Sequence, residues 1–162
     1  LKALKSFKAK DNPGRINLYQ VKEGHVLIDY GHNPEAFFNT GAMINKWQAP
    51  RVTGVISAPG DRSNELISHS AKVAGEVFDK IIIKEDEDLR GRNPGEVARL
   101  LQEGIQKVNP QVESKIVHSS KESLEVALQE MVPGEVVVYF YEDLNLVEEI
   151  LSRYQAKMVD SP

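Results

Sequence analysis

Three short polar segments hold most of the residues whose types could do chemistry, and each directly follows an apolar run. The first is Asp29-Tyr30-Gly31-His32-Asn33-Pro34, after Val26-Leu27-Ile28. A carboxylate such as Asp29 accepts hydrogen bonds from a ribose hydroxyl or coordinates a hydrated cation, and His32 and Asn33 can donate to a base or an anion. The plainer reading is a strand-to-helix loop in which Asn33 caps the helix. The second segment is Ala58-Pro59-Gly60-Asp61-Arg62. Its glycine admits close backbone approach, Arg62 can grip a phosphate or carboxylate bidentately, and Asp61 is placed to orient that arginine. A turn carrying a weak surface ion pair is the alternative. The third runs from Lys84 to Pro94, after Ile81-Ile82-Ile83. Glu85, Asp86, Glu87 and Asp88 repel one another and are expected to be solvated. A cationic substrate or Mg2+ would relieve that repulsion. Arg90 and Arg92 flank Gly91, so both guanidinium groups can converge on a carboxylate or phosphate. A charged loop without a ligand is the alternative.

Several chemistries are excluded. The 162 residues contain no cysteine, which removes disulfides, thiolate catalysis and sulfur-ligated zinc. There is no HExxH, no GxSxG, no GxGxxG after the first strand and no GxxxxGK[ST], so a nucleotide would find no phosphate cradle of the usual kind. Twenty basic against 24 acidic side chains give a formal charge of −4, which argues against non-specific duplex binding and leaves nucleic acid an unexpected partner. No apolar run approaches the ~20 residues that span a bilayer, and no signal peptide opens the chain. A membrane is therefore not expected as a partner, and a cytoplasmic location is expected.

The elements that must position these segments alternate between strand and helix. Arg15–Val21 and Val26–Ile28 are joined by Lys22-Glu23-Gly24, too short a link for anything but an antiparallel hairpin. Apolar runs at Arg51–Ser57, Ile81–Ile83, Lys115–Val117 and Val136–Phe140 read as further strands. Between and after them lie helical stripes: Phe37, Phe38, Met43 and Ile44; then Leu66, Ile67, Ala71 and Ala74; then Val97, Leu100, Leu101, Ile105 and Val108; then Leu124, Ala127, Leu128 and Met131, with Ser120 as cap; and last Leu144, Val147, Ile150, Leu151 and Tyr154. Right-handed crossovers turn this order into an α/β domain, a three-layer Rossmann-like arrangement with a mostly parallel sheet of about six strands. One strand is antiparallel, from the N-terminal hairpin. Residues 1–14, Lys-rich and ending in Asn12-Pro13-Gly14, read as an interdomain linker remnant, and residues 15–162 as one domain. In such sheets ligands bind beyond the carboxyl ends of the strands, where all three polar segments fall.

Asp29-Tyr30-Gly31-His32-Asn33-Pro34 resembles the DYxHNP signature that opens the C-terminal domain of Mur ligases and folylpolyglutamate synthetases. Pro13-Gly14-Arg15-Ile16-Asn17 resembles the segment at their central-to-C-terminal junction. Pro59-Gly60-Asp61-Arg62, Ile83-Lys84-Glu85-Asp86, Arg90-Gly91-Arg92 and Gly95-Glu96-Val97-Ala98 are most similar to the Mur-ligase-like module of cyanophycin synthetases. The resemblance covers nearly the whole chain. It implies ATP-driven activation of a carboxylate as an acyl phosphate, attack by an amine, and amide formation; in cyanophycin synthetases the amine is arginine and the carboxylate an aspartate side chain of the polymer. It further implies that Arg15 reaches the ATP phosphates, that Asp29 binds the ribose or steadies Arg15, and that His32 and Asn33 line the nucleotide side. Arg62, with Lys84, Glu85, Asp86, Arg90 and Arg92, would face the incoming amino acid or an anionic polymer or peptide end. ATP and Mg2+ would be held mainly by a central ATPase domain, the implied partner within the same polypeptide. The chain by itself is then expected to be catalytically silent. A free-standing regulatory or binding module with the same fold is the alternative.

Overall fold

The computed structural model describes residues 15–162, so the proposed linker 1–14 lies outside the described residues. Seven strands form one sheet: β1 (Arg15–Val21), β2 (Gly24–Asp29), β3 (Val52–Ile56), β4 (Lys80–Ile83), β5 (Glu113–Ile116), β6 (Val136–Phe140) and β7 (Lys157–Val159). Their order is β5-β4-β3-β6-β2-β1-β7. β1 is antiparallel to both β2 and β7, and the other neighbours pair in parallel. Six strands therefore point one way and β1 alone opposes them. The sheet has one strand more than the sequence suggests. β7 is only Lys-Met-Val, largely exposed and following a turn, too short to show a strand period.

The helices form because their apolar stripes match the helical period and their starts are capped. They are α1 (Pro34–Ile44), α2 (Asn64–Val77), α3 (Glu96–Val108), α4 (Ser120–Gln129) and α5 (Leu144–Arg153). Asn33 accepts from the Ala36 N–H with Pro34 at the first helical position, as the sequence predicts. Ser63 and Asp143 cap α2 and α5. The cap of α4 is Ser119, whose side chain accepts from Glu122 N–H; Ser120 is already helical, one residue later than expected. Phe38, on the predicted apolar stripe of α1, is exposed instead.

α1, α2 and α3 pack on one face of the sheet with Ile56, Ile81, Ile83 and Phe140; α4 and α5 pack on the other with Val55, Ile82, Val137 and Tyr139. Strand alternation makes this division: neighbours in β3, β4 and β6 point to opposite layers. Phe37, Phe78 and Phe140 interlock with ring centroids 4.7–6.3 Å apart. Gly54 permits this, because a Cβ there would meet the Phe78 ring at 2.5 Å.

At the amino-terminal end of the strands, Glu135 is almost wholly buried. It accepts from Arg51 at 2.6 Å, from the Thr53 hydroxyl and from the Val132 N–H. Removing one partner of such a pair leaves the other charged group uncompensated. Glu135→Ala is expected to destabilise the domain by about 3 kcal/mol or more, read as a lower urea midpoint with an unchanged slope. A change below about 1 kcal/mol would show that Arg51 and Thr53 find other partners.

Candidate functional site

β6 lies between β2 and β3, and its outgoing connection leads to the face opposite to theirs. This reversal opens a crevice at the carboxyl ends of the central strands, the usual place for a ligand. The loops after β2 and β3 meet there, and the loop after β4 is tied to the one after β3 through Arg92–Gly60 and Arg90–Asp61. They carry all three polar segments.

On the α1–α2 face is a cavity of about 170 Å3, lined by His32, Asn33 and Pro34 from one loop, by Pro59 and Arg62 from the next, and by Ile67 of α2. Among the described residues the Arg62 guanidinium has no hydrogen-bond partner, and it is exposed. His32 is half-buried, and its Nδ1 is buried without a partner. Burial holds its imidazole below the ordinary range, partly opposed by the Asp86 carboxylate. The cavity thus offers apolar walls, an unmet imidazole nitrogen and an exposed cation. Its volume is below the roughly 300 Å3 of a small-molecule pocket.

Arg15 starts β1, is exposed, and stands opposite Asp29 in the β1–β2 register. The register shifts between Arg15 and Asn17, and Ile16 has φ +51°, an unusual value for a β-branched residue. A bulge of this kind redirects the side chain beside it. Arg15 is thereby brought to the same end of the sheet as Asp29 and Tyr141.

The third segment folds inward more than its composition suggests. Lys84 is completely buried. It continues the alternation of β4, so its side chain follows Ile82 to the α4–α5 layer, where Nζ lies 5.7 Å from the Tyr139 ring centroid and 3.3 Å from Ser57 Oγ. Desolvation holds its ammonium below the ordinary lysine range. Asp86 Oδ1 is 3.9 Å away, and that carboxylate is buried too. The four acids are therefore not a uniformly solvated run: Asp86 is buried, and Glu85 is nearly so. Both Glu85 carboxylate oxygens accept from Gly95 N–H at 2.9 Å, anchoring the loop at the start of α3, and His118 Nδ1 is 3.4 Å from one of them. Only Glu87 and Asp88 are exposed.

The two arginines of this segment differ. Arg90 pairs with Asp61 at 3.1 Å, so Asp61 orients Arg90 and not Arg62. Arg92 binds the protein itself: Nε donates to Gly60 O, one terminal nitrogen to Asn64 and Glu96, and the other to Arg62 O, all at 2.7–3.0 Å. It ties the β3–α2 loop to the β4–α3 loop. Gly60 makes the approach possible, since a Cβ there would lie 2.2 Å from Leu89 O. Arg92 is thus engaged by acceptors of the protein itself, while Arg90 stays at the surface. Lys84 and Glu85, also expected at the substrate, are held within the fold, Lys84 by burial beside Ser57 and Glu85 by the Gly95 N–H.

A family model described as Mur ligase, glutamate ligase domain, matches residues 14–140. The chain belongs to this family. Among curated relatives, the cyanophycin synthetase of Geminocystis herdmanii (strain PCC 6308) is 40% identical over 146 residues, 90% of this chain and 17% of that protein. The chain thus spans less than a fifth of the length of this relative. Among solved structures, a UDP-N-acetylmuramoyl-L-alanyl-D-glutamate–2,6-diaminopimelate ligase superposes with a TM-score of 0.72 at 15% identity, covering 89% of this chain and 32% of that one. E. coli FolC in complex with ADP gives 0.65 at 21% identity, covering 89% and 33%. At these identities the structural likeness bears on the fold alone.

One residue of this Mur ligase domain escaped the sequence reading. Glu142, just past β6, is exposed, and partial desolvation followed by the Asp86 charge pushes its carboxyl up to about 7. In sequence it is one of two ordinary acids after an apolar strand; its position after a central strand was the available signal.

Two measurements check this geometry. Arg92→Lys keeps the charge but loses the planar fork, and it is expected to lower the unfolding temperature by roughly 3–8 °C; an unchanged midpoint would mean that the inter-loop tie carries little. His32 is expected to titrate below the ordinary imidazole value of about 6.5 in an NMR pH series. Its folded form then resists the proton that the unfolded chain accepts, so stability falls as pH drops from about 6.5 through the folded value. A midpoint at or above the ordinary value would contradict its burial.

Proposed function

We propose that this domain is the closing half of an ATP-dependent amide ligase, and that it supplies one wall of a nucleotide site and part of an amine site. The supporting observation is the cavity between the β2–α1 and β3–α2 loops, with the β4–α3 loop tied to the latter, at the topological reversal of a Mur ligase fold. Asp29, His32 and Asn33 would face the nucleotide, with Asp29 accepting from the ribose or steadying Arg15. Arg15 would bear on the transferring phosphoryl group. Arg62 and Arg90 are the exposed cations for an α-carboxylate or an anionic polymer or peptide end. Lys84, Glu85, Asp86 and Arg92 would shape that site from within the protein.

Among the described residues no group of three His, Asp or Glu side chains is placed to hold a metal. Mg2+ enters the proposal with ATP, both held mainly by a central ATPase domain of the same polypeptide. By analogy with the cyanophycin synthetase relatives, the ligase would activate an aspartate side-chain carboxylate as an acyl phosphate, and the amine of arginine would attack it. ATP and Mg2+ at the cavity, a cytoplasmic location and the central domain as partner all belong to this proposal. No helix among the described residues is long and apolar enough to cross a membrane.

Charge develops on the phosphoryl group in the transition state, so a guanidinium acting there contributes more to rate than to binding. In the full-length protein, Arg15→Ala is expected to lower the maximal rate of amide formation by about tenfold or more with a smaller change in the ATP requirement. Steady-state titration of ATP and of the amine decides. An unchanged maximal rate with a raised ATP requirement would make Arg15 a binding residue, and no effect on either would remove it from the site.

A further inference from the structure

Arg90 and Gly91 both have positive φ, +46° and +87°, and the Arg92 N–H donates to Leu89 O at 3.0 Å. That is the pattern of a type I′ turn, whose two central positions favour Asn, Asp or Gly. Gly91 fits. Arg90 does not, because positive φ is disfavoured for a long side chain. What the arginine reaches explains its place there better than the turn does. Its backbone N–H donates to Asp88 Oδ1 at 3.0 Å, and one terminal nitrogen, Nη1, donates to Asp61 Oδ2 at 3.1 Å. Among the described residues its Nε and Nη2 have no hydrogen-bond partner. Those two nitrogens form an edge with which a guanidinium grips a carboxylate by two parallel hydrogen bonds.

Asp61 is itself held in place. It lies in a turn closed by the Arg62 N–H on Pro59 O at 3.2 Å. Arg92 grips that turn on both sides of Asp61, donating to Gly60 O at 3.0 Å and to Arg62 O at 2.7 Å. Leu89 O, directly before Arg90, comes so close to Gly60 that a Cβ there would lie 2.2 Å from it. The two turns are thus locked together with Asp61 against Arg90. An ion pair as exposed as this one adds little to stability, so what it fixes is a direction. We propose that Asp61 is a positioning residue, which holds Arg90 by Nη1 and so presents the Nε–Nη2 edge to a carboxylate of the substrate. That carboxylate belongs to the incoming amino acid or to the polymer or peptide end. Its identity rests on the proposed ligase reading, whereas the orientation of Arg90 by Asp61 stands on the fold alone.

Nitrogen-15 relaxation of the chain tests the orientation without any substrate. The Arg90 Nε–H is expected to be more ordered than that of Arg62, and Asp61→Ala to bring it down to the Arg62 level. An Arg90 group as mobile as Arg62 in the parent, or unmoved by Asp61→Ala, overturns the proposal. Arg90→Asn suits the turn and is expected to raise the unfolding temperature by about 1–3 °C; a fall would show that Arg90 serves the fold instead. In the full-length protein, Asp61→Ala is expected to raise the Michaelis constant for one carboxylate-bearing substrate by about tenfold, with the maximal rate and the ATP requirement within about twofold. It should have no further effect in an Arg90→Ala background, and additive losses would overturn the positioning role. Arginine and L-argininamide, whose α-carboxylate is replaced by a neutral amide, separate the two sources. A loss with arginine alone assigns the edge to the amino acid, and a raised constant for the acceptor with either amine assigns it to the polymer or peptide end. If both single variants leave every constant within about twofold, the carboxylate assignment is refuted. A full-length protein that forms no amide at all defeats the ligase reading, and relaxation alone then decides the role of Asp61.

Discussion

A lysine ammonium with no exposed surface sits at the carboxyl end of the sheet, and the loops of the site are arranged around it. Taking such a charge out of water is costly, and the cost is offset only by nearby dipoles and opposite charge. Lys84 finds them in Ser57, in the face of the Tyr139 ring and in Asp86. Asp86 turns inward beside it, Glu85 holds the start of α3, and Glu87 and Asp88 stay at the rim. Arg92 then fastens that loop to the one after β3. One buried cation is thus connected, link by link, to the shape of the crevice.

Residues of the same type serve opposite ends in this arrangement. Arg62 reaches into the cavity without a partner, Arg90 is balanced by Asp61, and Arg92 is surrounded by carbonyls and carboxylates. A guanidinium already holding its full set of acceptors orders a loop; one without them is available to a ligand. The same distinction separates Glu85, engaged by a backbone N–H, from Glu87 at the surface.

The layers, and the gathering of the polar segments at one end of the sheet, were legible in the sequence because they depend on local signals. Hydrophobic periodicity marks five helices and six strands, Asn33-Pro34 marks a helix start, and a three-residue link forces the hairpin. β7 was not legible, since three residues carry no period and its pairing with β1 is a tertiary event. Nor were the partners of the charged side chains. Lys84 looks like a surface residue after a strand until the alternation of β4 is combined with the position of Tyr139. Glu142 and Asp86 are 56 positions apart, and only the β4-β3-β6 adjacency brings their loops together.

In the proposed reaction this domain closes over a carboxylate activated by ATP. The most direct test follows oxygen in the full-length protein. An aspartate-containing acceptor carrying 18O in its side-chain carboxylate is turned over with ATP and arginine, and the released phosphate is analysed by mass. An acyl-phosphate route transfers one labelled oxygen to phosphate for each amide formed, with ADP as the nucleotide product. Unlabelled phosphate alongside amide formation, or release of AMP and pyrophosphate, would contradict the account.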